Sequence, residues 1–239
     1  MINSLIGKKC FITGATGGIG KEICFKLAES HCELFLTSTN EKKLKKLEKD
    51  ILKINDKLKV YSFHIDLSKK QDLEKIIKNV RNTIKKIDVL INNAGVFPVN
   101  LLGNSKIEDF EKCFAINVKA PFILSKEFSK DMKKKKWGRI VNIGSSSSYS
   151  GFKENSIYCA SKHALLGFSR SLSDELKKHN IRCICISPGS LKTKMGKKVK
   201  NQNYETFLDP TQIAEMVVTT ISLDNEMIVP ELRLHRMYY

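Results

Sequence analysis

Acidic residues are scarce in this chain: 25 Asp and Glu stand against 42 Lys and Arg in 239 residues, leaving a formal charge of +17. Such an excess suits nucleic acid, an anionic membrane or acidic substrates only where it is focused. Here it is spread out. Only six of the cations are arginines, and the lysines fall in short clusters such as Lys42/Lys43/Lys45/Lys46 and Lys133 to Lys136, on expected outer faces of helices. A solvated lysine-rich surface is expected, with neither nucleic acid nor membrane as partner. Long apolar runs are also lacking. None reaches the roughly 20 residues that span a bilayer, and Met1 to Gly7 shows no basic region followed by an apolar stretch. Cys10, Cys24, Cys32, Cys113, Cys159, Cys183 and Cys185 have no paired CxxC spacing and no histidine partners, so neither a metal site nor a disulfide framework is indicated. Reduced, mostly buried thiols in a soluble cytoplasmic protein are the expectation.

What the chain does have is alternation. Apolar runs at Lys8–Thr13, Glu33–Thr37, Leu58–His64, Asp88–Ile91, Arg139–Ile143 and Ile181–Ile186 read as strands. Amphipathic stretches at about Gly18–Glu29, Glu41–Ile54, Lys69–Lys85, Ile107–Lys134 and Ser156–Lys178 read as helices. Asp209-Pro210 looks like an N-cap followed by proline at the first helical position, starting a helix to about Ser222, and Glu226–Pro230 is a candidate last strand. Strand and helix repeated in this way need right-handed crossovers, hence an α/β fold with one doubly wound parallel sheet covered on both faces. The length suits one domain over 1–239, with a cofactor half to about residue 95 and a catalytic and substrate half beyond it.

Ligands of such sheets bind outside the carboxyl ends of the strands. After the first strand comes Thr13-Gly14-Ala15-Thr16-Gly17-Gly18-Ile19-Gly20, whose glycines allow a tight turn and bring a pyrophosphate close to the N–H groups of a helix N-terminus. Alone, the turn is equally an ordinary strand-to-helix connection. Its place directly after the first strand favours a nucleotide.

The glycine spacing is TGxxxGxG rather than GxGxxG, and here the sequence begins to resemble the short-chain dehydrogenase/reductase family. Asn92-Asn93-Ala94-Gly95 follows the fourth strand and Asn117 lies in the next helix. Ser145 stands thirteen residues before Tyr158-Cys159-Ala160-Ser161-Lys162, and Ser187-Pro188-Gly189 follows the sixth strand with Thr193 nearby. The resemblance covers nearly the whole chain. It implies a Rossmann-type fold and hydride exchange between NADP(H) or NAD(H) and a small-molecule carbonyl or alcohol. It places Gly14, Thr16, Gly17, Gly18, Ile19 and Gly20 around the pyrophosphate, Asp66 and Leu67 at the adenine, and Asn93, Ala94 and Gly95 along the cofactor. Pro188, Gly189, Leu191 and Thr193 complete the clamp. Read without the family, Asp66 would be a helix N-cap.

The choice of cofactor falls to the end of the second strand, where a carboxylate would bind the adenosine ribose and repel a 2′-phosphate. Thr37-Ser38-Thr39-Asn40 contains no carboxylate, and Ser38 and Thr39 offer donors, so NADP(H) is favoured and NAD(H) is the alternative. The arginine often found in NADP-preferring relatives is absent, and Lys42 or Lys43 would stand in for it.

Carbonyl reduction leaves an oxyanion that must be protonated, so an acid and a polariser are required. Tyr158 and Lys162, at i and i+4, share a helix face. An ammonium nearby favours the phenolate, and bringing a tyrosine from about 10 towards neutrality takes roughly 4 kcal/mol. Spacing alone also permits a packing pair. By resemblance Tyr158 is the acid, Ser145 holds the substrate carbonyl, Lys162 tunes the tyrosine and binds the nicotinamide ribose, and Asn117 sits in a helix distortion that relays protons to the lysine.

The substrate is less determined. Lys192, Lys194, Lys197, Lys198 and Lys200 crowd the segment after Pro188-Gly189 and suit a small or acidic 3-oxo or 3-hydroxy compound, or simply follow the composition. The glycine and serine pattern resembles 3-oxoacyl-[acyl-carrier-protein] reductases, yet their glycine-rich ending is missing. The ending Glu226-Met227-Ile228-Val229-Pro230-Glu231 is closer to 3-hydroxy acid dehydrogenases and carbonyl reductases. A nicotinamide-sensing protein without turnover is the alternative of another class. Leu165, Phe168, Leu172 and Leu176 form an apolar stripe on a helix resembling those that build homodimers and homotetramers.

Overall fold

The computed structural model describes residues 5–200 and 202–237. Seven parallel strands form one sheet in the order β3-β2-β1-β4-β5-β6-β7: β1 is Lys9–Ile12, β2 Glu33–Ser38, β3 Val60–His64, β4 Val89–Asn92, β5 Gly138–Ile143, β6 Ile181–Pro188 and β7 Glu231–Leu234. The helices are α1 Gly18–Glu29, α2 Glu41–Ile54, α3 Lys70–Thr83, α4 Ile107–Phe114, α5 Ala120–Lys135, α6 Ser156–Leu176 and α7 Pro210–Ser222.

Side chains alternate across each strand, so every strand feeds two cores. Cys10, Ile12, Leu34 and Leu36 pack with Ile23 and Leu27 of α1 and with Val217 and Ile221 of α7. Phe11, Phe35, Leu90 and Ile140 pack on the opposite face with Ile76 of α3 and with Phe128 and Met132 of α5. Each large side chain so buried contributes about 1.5–3 kcal/mol. In α2 only Leu44, Leu47 and Ile51 are buried, while its lysines face outward. Asn40 caps that helix by accepting from Lys43 N at 2.9 Å, and Asp209 caps α7 by accepting from Thr211 N at 2.8 Å. Two buried arginines finish α7. Arg139 donates to Ile221 O and Leu223 O, and Arg182 to Leu223 O, serving carbonyls that a helix end leaves orphaned.

The structure departs from the expected elements in three places. Ile107–Lys134 is interrupted by a π turn at Ala115–Lys119, which separates α4 from α5. The last strand is Glu231–Leu234 and not Glu226–Pro230, because the segment from Glu226 is exposed and the ladder to β6 opens only at Cys185 opposite Glu231. Of the apolar stripe, Leu165 and Leu176 are consumed by the interior, whereas Leu172 and Phe168 are half-buried, the Phe168 ring centroid 5.8 Å from that of Phe122.

Candidate active site

The crossover directions on either side of β1 and β4 diverge, and a cleft of about 1400 Å³ opens along the carboxyl ends of the strands. It is lined by Gly14, Thr16, Gly17, Gly18 and Ile19 from the first turn, and by Ser38, Thr39, Asp66 and Leu67 beyond β2 and β3. Asn93, Ala94 and Gly95 follow β4, then Ser145, Tyr158 and Lys162, then Pro188, Gly189, Leu191 and Thr193. Of the residues that the resemblance assigns to catalysis or to the cofactor, Gly20 and Asn117 do not line it and lie directly behind it; of the basic residues named for the cofactor or the substrate, Lys42 and Lys197 do not line it.

The glycine turn is held from below. Thr13 Oγ1 accepts from Asn93 N and Ala94 N, each at 3.0 Å, and Asn93 Nδ2 donates to Thr13 O and Gly14 O, each at 3.0 Å. Gly14 has φ +62°, which favours glycine, and a Cβ there would come within 2.8 Å of Ala94 Cα. At Gly20 a Cβ would lie 2.6 Å from Asn93 Nδ2. Thr193 packs on Gly18 across the cleft. The N-terminus of α1 has no side-chain cap and no acidic residue in its first turn, so its positive end stays open to an anion. A dinucleotide pyrophosphate fits this arrangement.

At the neighbouring end, Thr16 Oγ1 and Ser38 Oγ meet at 2.5 Å and Asn40 N donates to Ser38 Oγ at 3.1 Å. Lys43 and Lys21 line the cleft here, and Lys42 does not. Asp66 Oδ1 accepts from Ser68 N at 3.0 Å and Ser68 Oγ at 2.7 Å, in a turn that precedes the cap of α3 at Lys69. Burial raises the Asp66 carboxyl, but the Ser68 bonds, Lys112 and Lys69 outweigh it and hold it below the ordinary value.

Beyond β5, Ser145 opens a short helical turn closed on itself by Ser147 N to Ser145 Oγ (3.1 Å) and Ser145 N to Ser148 Oγ (3.2 Å). Tyr158 is buried against Phe97, ring centroids 4.6 Å apart. Lys162 is buried as well and donates to Ile143 O at 2.7 Å, with Nζ 5.7 Å from the Tyr158 ring. The electrostatics differ from the expectation that the lysine sets the tyrosine. Burial pushes the Tyr158 phenol up to about 12, against which the Ser145 hydroxyl acts, and burial pushes Lys162 down to about 8. One of the three Nζ protons is directed at Ile143 O, and the Tyr158 shift is set by burial and the Ser145 hydroxyl without a contribution from Lys162. At neutral pH the pair is therefore a neutral phenol and a cationic amine.

The π turn accounts for Asn117. Widening the helix by one residue turns its carboxamide inward, where Oδ1 accepts from Val96 N (3.0 Å) and Nδ2 donates to Val96 O (3.1 Å) and Ser161 Oγ (3.0 Å). Ser161 in turn donates to Tyr158 O at 2.8 Å. Thr13 and Ser161 stand in the sequence motifs without an assigned role, and Phe97 and the Ile143 carbonyl are not singled out there at all. Thr13 had a signal, a hydroxyl between strand and glycine; the others are visible only once α6 lies on β5. Among the described residues there is no cluster able to hold a metal ion.

The chain matches the family model described as short chain dehydrogenase over residues 8–204. It is 37% identical over 205 residues to the 3-oxoacyl-[acyl-carrier-protein] reductase of Rickettsia felis, covering 85% of this chain and 81% of that one. Its fold is similar to that of a metagenomic short-chain oxidoreductase in complex with NADP, with TM-score 0.85, 28% identity and coverage of 98% and 100% of the two chains. An NAD+-bound xylitol dehydrogenase gives TM-score 0.84 and 25% identity over 97% and 98%. A doubly wound sheet with a glycine turn and a Ser, Tyr, Lys cluster at its carboxyl edge defines a nicotinamide-dependent oxidoreductase. The chain belongs to the short-chain dehydrogenase family.

Proposed function

We propose that the chain is an NADP(H)-dependent carbonyl reductase in which Tyr158 is the acid, Ser145 the polariser and Lys162 the cationic support. The observation that carries this reading is the convergence of Ser145, Tyr158 and Lys162 at the end of β5, beside a glycine turn shaped for pyrophosphate. When bound, NADPH supplies the hydride. Ser145 Oγ and the Tyr158 hydroxyl hold the carbonyl oxygen, and Tyr158, neutral at pH 7, gives it a proton. Lys162 keeps a positive charge beside the phenol that is being deprotonated, and Asn117 fixes α6 to Val96 through Ser161. The preference for NADP(H) is supported by the hydroxyl pair of Thr16 and Ser38, the cleft-facing Lys43 and the missing carboxylate; NAD(H) is the second cofactor, since relatives of both kinds share the fold.

The substrate in this reading is a small or acidic 3-oxo or 3-hydroxy compound, for which Phe97, Val99 and Phe152 form apolar walls and Lys153, Lys194 and Lys198 a basic rim. A 3-oxoacyl-[acyl-carrier-protein] reductase is the second reading, favoured by the Rickettsia felis relative. One domain, assembled as a homodimer or homotetramer, suits the exposed Phe110 and Phe122, which with Phe114, Val118 and Phe168 line an apolar groove of about 830 Å³ on α4, α5 and α6. Light scattering tests the assembly. A cytoplasmic setting fits seven unpaired cysteines, and no described helix is long and apolar enough to cross a membrane. The test of function is NADPH oxidation at 340 nm over a panel of β-keto acids, acetoacetyl thioesters and aldehydes. Turnover of a panel member supports the reading. NADPH binding without any turnover favours a cofactor sensor.

A further inference from the structure

The serine that faces Tyr158 sits on a turn of small side chains, of which Ser147 and Ser148 are buried. Residues 144–151 read Gly-Ser-Ser-Ser-Ser-Tyr-Ser-Gly, so Tyr149 is the one side chain larger than serine. The hydroxyl bonds among Ser145, Ser147 and Ser148 stay within the turn. Its backbone ladder to the sheet ends one residue earlier, where Gly144 N donates to Ile186 O at 2.7 Å.

Tyr149 leaves the turn and ends on the carboxylate of Glu231, its hydroxyl donating to Oε2 at 2.8 Å. Glu231 opens β7 and shares a strand face with Arg233, whose guanidinium lies over the Tyr149 ring at 4.0 Å. The same carboxylate is gripped by Arg170, with Nε on Oε1 and Nη2 on Oε2 at 3.1 Å. Arg170 belongs to α6, the helix that carries Tyr158 and Lys162. One carboxylate thus joins the Ser145 turn, the helix of the proposed acid, and the last strand.

We propose that Glu231 is a positioning residue, which acts through Tyr149 to hold Ser145 in register with Tyr158. Arg170 keeps Glu231 below the usual carboxylate range, so it stays ionised at neutral pH, and burial with the Glu231 charge pushes Tyr149 up to about 12, so it stays a donor. A neutral donor to an ionised acceptor is the stronger kind of hydrogen bond. The cost of losing it falls on geometry, since a 1 Å misplacement of a reacting group lowers a rate by as much as about 10²-fold.

The proposal rests on the carbonyl reductase reading, and its test has two arms. Tyr149→Phe keeps the ring under Arg233 and removes the hydroxyl; Glu231→Gln keeps an acceptor without the charge; Glu231→Ala removes both. In the full chain, kcat for carbonyl reduction falls about tenfold in Tyr149→Phe and Glu231→Ala and less in Glu231→Gln, with NADPH affinity by fluorescence unchanged. The double variant Tyr149→Phe/Glu231→Ala loses no more than either single one. Hydrogen exchange at the Ser145, Ser147 and Ser148 amides speeds up about tenfold. A kcat within twofold of wild type in Tyr149→Phe overturns the proposal, as does a loss of NADPH affinity equal to the loss of kcat. If the wild type reduces no carbonyl, the functional reading fails and the exchange arm decides the tether: unchanged exchange in Tyr149→Phe overturns it.

Discussion

At one end of the cleft, Thr13, Asn93 and the glycine turn exchange four hydrogen bonds of 3.0 Å, and a single methyl at Gly20 has nowhere to go. At the other end, Lys192 faces Glu205 at 3.6 Å and Lys200 faces Glu154 at 3.0 Å, all on exposed or half-exposed side chains. Lys197 lies over Tyr204, with 5.7 Å to the ring centroid. The first end is crowded and satisfied through backbone groups, so its chemistry is dictated by shape. The second is built from surface pairs worth about 0–1 kcal/mol each, which rearrange at little cost. The difference explains why the cofactor class follows from the chain while the substrate does not.

The comparison breaks first at Gly20. Gly20→Ala forces Gly14 O or the Asn93 amide to move, and NADPH affinity measured by fluorescence titration should weaken about 10²-fold, with a lower Tm. Retained affinity would mean that the turn is not the cofactor cradle.

The second test is pH. Folding depresses Lys162 from its ordinary 10.5 to about 8. In the proposed role the ammonium is needed, so kcat/KM should fall by about tenfold per pH unit above 8, while Tyr158, at about 12, stays protonated. Stability moves in the opposite sense. Below 8 the buried charge carries its full cost; between 8 and 10.5 the unfolded chain binds the extra proton, so this group favours folding more as pH rises. Removing the group in Lys162→Met should abolish that rise in urea titrations.

A smaller effect is expected at Ser38. Ser38→Asp places a carboxylate where Thr16 Oγ1 now meets a hydroxyl, and should shift preference from NADPH to NADH by about 10- to 30-fold, read as the ratio of kcat/KM values. The smallest effect is at the rim. Lys194→Gln should change KM for a neutral carbonyl less than about threefold, and for a carboxylate substrate by no more than about fivefold. A larger change would make the rim a built anion site, and the contrast between the two ends would fail.

Much of this was legible in the residues. Alternating apolar runs gave six of the seven strands, and the motifs that follow them line one cleft. The errors have physical causes. Glu226–Pro230 has the apolarity of a strand, but it is mostly exposed and meets β6 only at its end, where Cys185 N donates to Pro230 O at 2.9 Å and the register starts at Glu231. Ile107–Lys134 has helical periodicity throughout, yet a π turn costs no change of residue type and is not written in the pattern. The i, i+4 spacing of Tyr158 and Lys162 gave their shared face, not their desolvation. Only the packed structure shows that both are buried and that Lys162 Nζ is spent on Ile143 O. Tyr149 and Glu231 lie 82 residues apart, beyond the reach of any local motif.

The account depends most on Tyr158 as the proton donor. Single-turnover oxidation of NADPH at 340 nm, with a substrate that the wild type reduces, should slow about 10³-fold in Tyr158→Phe while NADPH affinity stays within twofold. A Tyr158→Phe rate within about threefold of wild type would contradict it.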